Sequence, residues 1–431
     1  MKNSELVSRS LQSVWHPCTQ MKRHETIPLV PFSRGEGMWL YDFEGRRHLD
    51  AISSWWVNLF GHCNPVINSA ITDQLEKLEH VILAGFTHEP VIELSERLAK
   101  LSKLGHAFYA SDGASAVEIA LKMSFHYWKN MGRPEKRHFV SLENGYHGET
   151  LGALSVTDVA IFSDTYSPLI SKGLRIDTPD WRHAEAGESP CDFALRCAEK
   201  LENLLEIHHP GIAAVILEPL VQGAAGMGMH HPAYLAKARQ LCDKYNVHFI
   251  ADEIAVGFGR TGTLFACEQG NILPDFLCLS KGITGGYLPL SAVLSRQAIF
   301  EAFYDDSLSR AFLHSHSYTG NALACRAALA VLDIFESDGV IAKNREKANL
   351  MNEKAKVLAA HPKVEHFRNT GMIWAFDVAD PSPDFSRRFH LAALKKGLLL
   401  RPIGNTVYFM PPYVIEEEEM DFLVQGTLEL L

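Results

Sequence analysis

The sequence has no run of apolar residues near the ~18 that a membrane-spanning helix needs, so no segment is a candidate span. It also lacks an excess of positive charge: 41 Lys and Arg stand against 51 Asp and Glu, a net charge of −10. A nucleic-acid surface needs a basic face to displace phosphate counterions, and none is supplied here. The eight cysteines, at positions 18, 63, 191, 197, 242, 267, 278 and 325, include no CxxC pair. They frame no small disulfide-stapled domain and are expected to be reduced thiols, most of them buried. The opening Met1-Lys2-Asn3-Ser4-Glu5 has no apolar secretion core, and a cytoplasmic location is expected. Repeats and low-complexity stretches are absent, and the one charge run, Glu416 to Glu419, is placed to cap the positive end of a last helix.

What is present is the composition of a globular protein, 47% hydrophobic and 21% charged over 431 residues. At about 150 residues per domain, that length predicts two or three domains. Short apolar runs recur at His106 to Ala110, Phe139 to Leu142, Ala213 to Leu217, Val247 to Ala251, Phe276 to Leu279 and Ser291 to Leu294. Helical patterns lie between several of them, such as Tyr234, Leu235, Ala238, Leu241, Cys242 and Tyr245. Another begins at Asn64-Pro65, a cap and first-turn pair followed by Ile67, Ala70, Ile71, Leu75 and Leu78. Continuous apolar strands alternating with helices predict an α/β fold with a mainly parallel sheet covered on both faces. We place this large domain at residues 61–330. A long helix, Ala322 to Phe335, leads out of it. Residues 331–431 read as an α+β unit, with strands at Met372 to Val378, Leu398 to Arg401 and Val407 to Met410. Residues 1–60, with strands around Met38 to Tyr41, are expected to complete that small domain. The cleft between the two is the expected ligand site.

Candidate chemistry gathers at strand ends. Gly257, Gly259 and Gly262 fit a dinucleotide GxGxxG, but five residues separate them from the strand and no helical pattern follows. Asp252 ends a buried apolar strand, where an acid needs a cationic partner or a proton. Lys281, in Cys278-Leu279-Ser280-Lys281-Gly282, ends another such strand 29 residues further on. An acid and an amine facing one crevice suit pyridoxal phosphate: the lysine forms a Schiff base, and the aspartate keeps the pyridine nitrogen protonated. A structural Asp–Lys ion pair fits the spacing equally well. Ser111-Asp112-Gly113-Ala114-Ser115 favours the cofactor, because a glycine turn opening a helix offers free N–H groups to a phosphate. The same segment would also serve as an ordinary serine-capped turn. Tyr146 follows another strand, placed to stack on a ring or to pack in a loop. The 21 histidines include His208-His209, His230-His231 and His314/His316, but none has a carboxylate or cysteine at ligand spacing, so no metal is expected.

These residues resemble the class III aminotransferases, a branch of the fold-type-I pyridoxal-phosphate transferases, nearly end to end. The resemblance is carried by Trp15-His16-Pro17, Ser53-Ser54-Trp55-Trp56, Asn144-Gly145-Tyr146-His147-Gly148, Asp252-Glu253, Lys281-Gly282, Gln222-Gly223-Ala224-Ala225-Gly226-Met227 and Arg401-Pro402-Ile403-Gly404. It implies a homodimer with interface active sites, using a small-molecule amine donor and a keto-acid acceptor. Lys281 would be the Schiff-base lysine and Asp252 the ring-nitrogen partner. Gly113 and Ala114 would hold the phosphate, Tyr146 would border ring and substrate, and Trp55 would line the substrate pocket. Arg401 would clamp a substrate carboxylate, with Ala224 standing where a competing glutamate occurs in some relatives. Ser315, His316 and Ser317 would reach the partner's site, His316 and Ser317 at its phosphate. Arg260 is expected near the active site. Cys18 stands where a substrate-recognising tyrosine is expected, and a thiol cannot supply a phenol's reach or hydrogen bond. Of Trp55 and Trp56, read as strand neighbours on opposite faces, only Trp55 is expected to reach the pocket. Other readings are a lysine-using or broader ω-amino acid aminotransferase, a Rossmann-type dehydrogenase and a catalytically silent scaffold.

Overall fold

The structure, a computed structural model, describes residues 2–380 and 382–431. Three N-terminal strands, β1 (Phe32–Glu36), β2 (Trp39–Asp42) and β3 (Arg47–Asp50), form an antiparallel meander. Then come β4 (His106–Ala110), β5 (His138–Leu142), β6 (Leu174–Ile176) and β7 (Ile212–Leu217). A two-stranded hairpin, β8 (Val221–Gln222) and β9 (Gly228–Met229), precedes β10 (His248–Asp252), β11 (Phe276–Leu279) and β12 (Ser291–Ser295). The C-terminal strands are β13 (Val364–Thr370), β14 (Ile373–Val378), β15 (Leu398–Leu399) and β16 (Thr406–Phe409).

The central sheet has seven strands in the order β4-β12-β11-β10-β7-β5-β6, and only β12 runs against the rest. Every residue of β7, β10, β11 and β12 is buried. The strand alternation explains why. Val215, Leu217, Phe249, Ala251, Leu277 and Leu279 join one apolar cluster, while Ala214, Ile216, Ile250, Cys278 and Val293 join another on the opposite face. The second is covered by the helix Gly113–Asn130, whose Ile119 is buried and whose Met123 and Tyr127 pack against that cluster. The apolar runs read from sequence are these strands, displaced by no more than one residue at either end. Of the seven strands in this sheet, only β6 was not anticipated.

β15 joins β3 in parallel, so the N-terminal meander and a C-terminal strand share one sheet. β13, β14 and β16 form a second small sheet. The exit helix runs Ala322–Asp338, a turn longer than its apolar pattern, and ends on Gly339 at φ 61. The last helix, Glu417–Leu428, opens with the expected acidic cap: Glu416 N–H donates to Glu419 Oε2 at 2.8 Å. The helix Pro65–Leu75 is capped by Asn64, which accepts from Val66 and Ile67 N–H, and it stops before Leu78. Five cysteines are buried, while Cys18 and Cys63 are exposed. Among the described residues no helix is long and apolar enough to cross a membrane, and no cluster of three metal-ligating side chains occurs.

Candidate functional site

Because β4, β5, β7, β10 and β11 run parallel, the segments leaving their carboxyl ends converge on one edge of the sheet. Asp252 pairs in register with Cys278, so Asp252 and Lys281 leave adjacent strands. The remaining parallel strands deliver Gly113, Tyr146 and Glu218 to that same edge. Ligands bind at this edge in open α/β sheets.

Asp252 and Lys281 do not form an ion pair, which removes the structural alternative. Asp252 Oδ2 lies 2.7 Å from His147 Nδ1, and its Oδ1 accepts from Ile254 N–H at 3.1 Å. Lys281 Nζ instead lies 4.5 Å from the Trp56 ring centre. Burial lowers its pKa, with the charges of Asp252 and Glu218 acting the other way. Its backbone is held at φ 47, a conformation that non-glycine residues adopt at a cost.

Two partners were missed in the sequence. His147 is buried and leaves its Nε2 without a partner. Glu218 ends the apolar run Ala213 to Leu217 just as Asp252 ends its own, and that signal was there to be read. Its carboxyl accepts from Tyr146 N–H (3.0 Å) and Gly223 N–H (3.1 Å), tying two loops together. Burial pushes its pKa up to about 7. Gly223 is needed for close approach, since a Cβ there would lie 2.9 Å from the Trp56 ring.

The turn before Gly113 is capped by Asp112 rather than a serine: Asp112 Oδ1 accepts from Ser115 N–H at 2.9 Å and Oδ2 from Ser115 Oγ. Gly113 and Ala114 therefore occupy the first helical turn, where N–H groups point out along the axis. The space around them is tight. A Cβ on Gly148 would lie 2.6 Å from Ala114 Cβ, and one on Gly113 would lie 2.9 Å from Ile254. An unpaired amine, a buried carboxylate and a helix N-terminus at one sheet edge fit pyridoxal phosphate.

Ser53–Trp56 is not a strand. All four residues have positive φ, from 47° to 77°, forming a left-handed turn without a glycine. Such residues cost about 1–2 kcal/mol each, and hydrogen bonds must offset this. Ser53 Oγ donates to Met410 O (2.7 Å), and Asp50 accepts from both Ser54 N–H and Ser54 Oγ. The turn sends both indoles toward the site, one more than a strand would. Trp56 is buried, covers Lys281 and donates through Nε1 to Tyr408 OH at 3.2 Å. Trp55 is 43% exposed and stacks under the Arg401 guanidinium at 4.8 Å.

Trp55, Arg401, Cys18, Glu149 and Tyr408 line a cavity of about 920 Å³. Arg401 has no carboxylate partner within 4.0 Å among the described residues. Tyr146 OH donates to Glu149 Oε1 at 2.9 Å, and burial raises its pKa. Cys18 lies exposed in the same wall.

One expectation is corrected. Arg260 is fully buried and structural, donating to Pro411 O (2.7 Å) and Asn58 O (2.8 Å). The Gly257 to Gly262 stretch runs through turns and opens no helix, which removes the dinucleotide reading. Ser315, His316 and Ser317 lie on an outer segment where His80 Nε2 meets Ser317 O (2.8 Å) and His316 meets His314 (3.0 Å). Among the described residues, no hydrogen bond or ring contact joins them to this chain's Lys281.

The family profile "Aminotransferase class-III" matches residues 20–430. The adenosylmethionine-8-amino-7-oxononanoate aminotransferase of Helicobacter pylori is 48% identical, covering 99% of this chain and 97% of its own. The crystal structure of the Methanocaldococcus jannaschii enzyme of that name superposes with a TM-score of 0.93 at 36% identity, covering 100% of this chain and 99% of its own. An amine transaminase from an uncultivated Pseudomonas species, in its PLP-bound form, gives 0.91 at 31% identity, covering 97% of this chain and 98% of its own.

Proposed function

The chain belongs to the class-III aminotransferases, and we propose that it transfers an amino group from S-adenosylmethionine to 8-amino-7-oxononanoate, giving 7,8-diaminononanoate for biotin synthesis. It is a pyridoxal-phosphate enzyme of fold type I. The observation that carries the substrate reading is the cavity that Arg401, with no carboxylate partner among the described residues, lines together with Glu149. The acceptor has a carboxylate at the far end of an apolar chain and an amine beside its ketone, and the cavity offers a partner of the right sign to each.

When bound, pyridoxal phosphate supplies an aldehyde that takes up the donor's amine and a ring that accepts the electron pair released at the α-carbon. Gly113 and Ala114 N–H groups would bind its phosphate at the helix end. Asp252, oriented by His147, would hold a proton on the ring nitrogen. Lys281 Nζ, its basicity lowered by burial, would take the proton from the donor α-carbon and deliver it to the cofactor's aldehyde carbon on the same face. Trp56 covers the amine and keeps water from it. Arg401 orients the acceptor by its carboxylate, which a planar guanidinium can hold with two parallel hydrogen bonds. Tyr146 and Trp55 border the chain between them.

Residues 1–60 and 331–431 form one small domain in this reading and 61–330 the large one, in a cytoplasmic homodimer. Ser315, His316 and Ser317 then serve the partner's site, in keeping with their making no contact with Lys281 of their own chain among the described residues. The test is a two-step incubation of the loaded protein. S-adenosylmethionine alone should change the cofactor's absorbance, and 8-amino-7-oxononanoate should restore it with formation of the diamine. A change with lysine but not S-adenosylmethionine would replace the donor, and no restoration by the keto acid would overturn the acceptor.

A further inference from the structure

Asp50 lies where two segments of the cavity wall part. It is the last residue of β3 and is fully buried. Its main chain pairs in register with Leu399 of β15, two residues before Arg401. Its side chain reaches the other way: Oδ1 accepts from Ser54 N–H (2.9 Å) and Oδ2 from Ser54 Oγ (2.6 Å). Ser54 is the residue before Trp55. One residue therefore sets the start of both paths that meet at the Trp55–Arg401 stack.

A third donor steadies the carboxylate. His62 Nε2 lies 3.0 Å from Oδ2, while Asn58 Nδ2 faces His62 Nδ1 at 3.2 Å. Facing a carboxylate, His62 Nε2 is the donor in this contact. His62 is itself fixed by backbone bonds to Gly37 and by Gly35, where a Cβ would lie 2.6 Å from His62 Cβ. Three donors converge on one buried carboxylate, and the segment it restrains carries four consecutive left-handed residues. Without that restraint, the preference of non-glycine residues for negative φ pulls Trp55 away. Trp56 has its own anchors in Tyr408 and Gly223, so Trp55 is the one set free.

We propose that Asp50 is a positioning residue for the carboxylate anchor, fixing Trp55 under Arg401 and so setting the preference for carboxylate-bearing acceptors. The selectivity part rests on Arg401 binding the acceptor as proposed above.

The test labels the seven tryptophans with 5-fluorotryptophan and reads their ¹⁹F resonances in cofactor-free protein, with Trp55 and Trp56 assigned by Phe substitution. In Asp50→Asn the Trp55 resonance should move while the five tryptophans outside the turn stay in place. Ser54→Gly, which suits positive φ, should return it toward the wild-type position in that background. Kinetically, Asp50→Asn should raise KM for the keto acid about tenfold with kcat changed less than about threefold. Its methyl ester should be unaffected, and Asp50→Asn should add nothing in an Arg401→Ala background. Should Asp50→Asn fail to fold, Ser54→Ala at an exposed residue carries the same expectations at smaller size. An unmoved Trp55 resonance overturns the positioning. A moved resonance with acid and ester affected alike overturns the selectivity claim and counts against Arg401 as the anchor.

Discussion

Two regions of this molecule do different work and are built differently. The inner site, Asp252, His147, Glu218 and Lys281, is set by the ends of neighbouring parallel strands and is almost wholly buried. The outer cavity, with Cys18, Trp55, Glu149 and Arg401, is assembled from segments hundreds of residues apart and is open to solvent. Parallel strands fix their carboxyl ends rigidly, so the chemistry is invariant to what enters. The outer wall rests on a two-residue strand pairing and a strained turn, so its residues can change without disturbing the electron sink.

If that division is right, inner substitutions should abolish turnover for every substrate, and outer ones should discriminate among substrates. Lys281→Ala should have the largest effect. Loss of the residue acting as base should lower kcat by at least about 10²–10⁴-fold, with the far-UV spectrum unchanged because Lys281 contributes little to either apolar cluster. Near-normal turnover would remove Lys281 from the mechanism. Asp252→Asn comes next, losing about 10²-fold or more for all donors and acceptors, since a neutral amide no longer holds the ring nitrogen protonated. The same variant makes a pH prediction. The Asp252 charge raises the Lys281 pKa against the lowering by burial. Its removal should therefore shift the pH profile of Lys281 modification in cofactor-free protein to lower pH. A shift to higher pH would mean the two groups do not interact as described.

Arg401→Ala should come third. A charged hydrogen bond worth ~1.5–3 kcal/mol predicts a loss of roughly 10- to 150-fold in kcat/KM for the keto acid. Cys18→Ser should be smallest, within about twofold, as expected of an exposed residue outside the core. A large effect there would mean the thiol itself recognises substrate.

The inner region was largely legible in the sequence. A wholly apolar strand followed by an acid or amine is conspicuous, and Asp252 and Lys281 were found that way. Glu218 gave the same signal and was passed over. β6 was invisible because three residues make no pattern. The outer region was legible only through family resemblance, and its geometry not even then. Positive φ is normally announced by glycine, and Ser53-Ser54-Trp55-Trp56 contains none. The turn depends on Asp50 and Met410, contacts that no local pattern records. Arg260, by contrast, sits in a glycine-rich stretch beside the site and still proved structural, because its guanidinium was needed by two buried carbonyls.

The most direct test of the division between a fixed inner chemistry and an outer selecting wall is a double ratio. It compares kcat/KM for 8-amino-7-oxononanoate and for its methyl ester, in wild-type and Arg401→Ala protein. The account predicts that the ester is already poor with wild type and little worse with the variant, while the acid falls by roughly 10- to 150-fold. Equal losses for acid and ester would contradict it, placing the carboxylate anchor elsewhere and removing the main support for this acceptor.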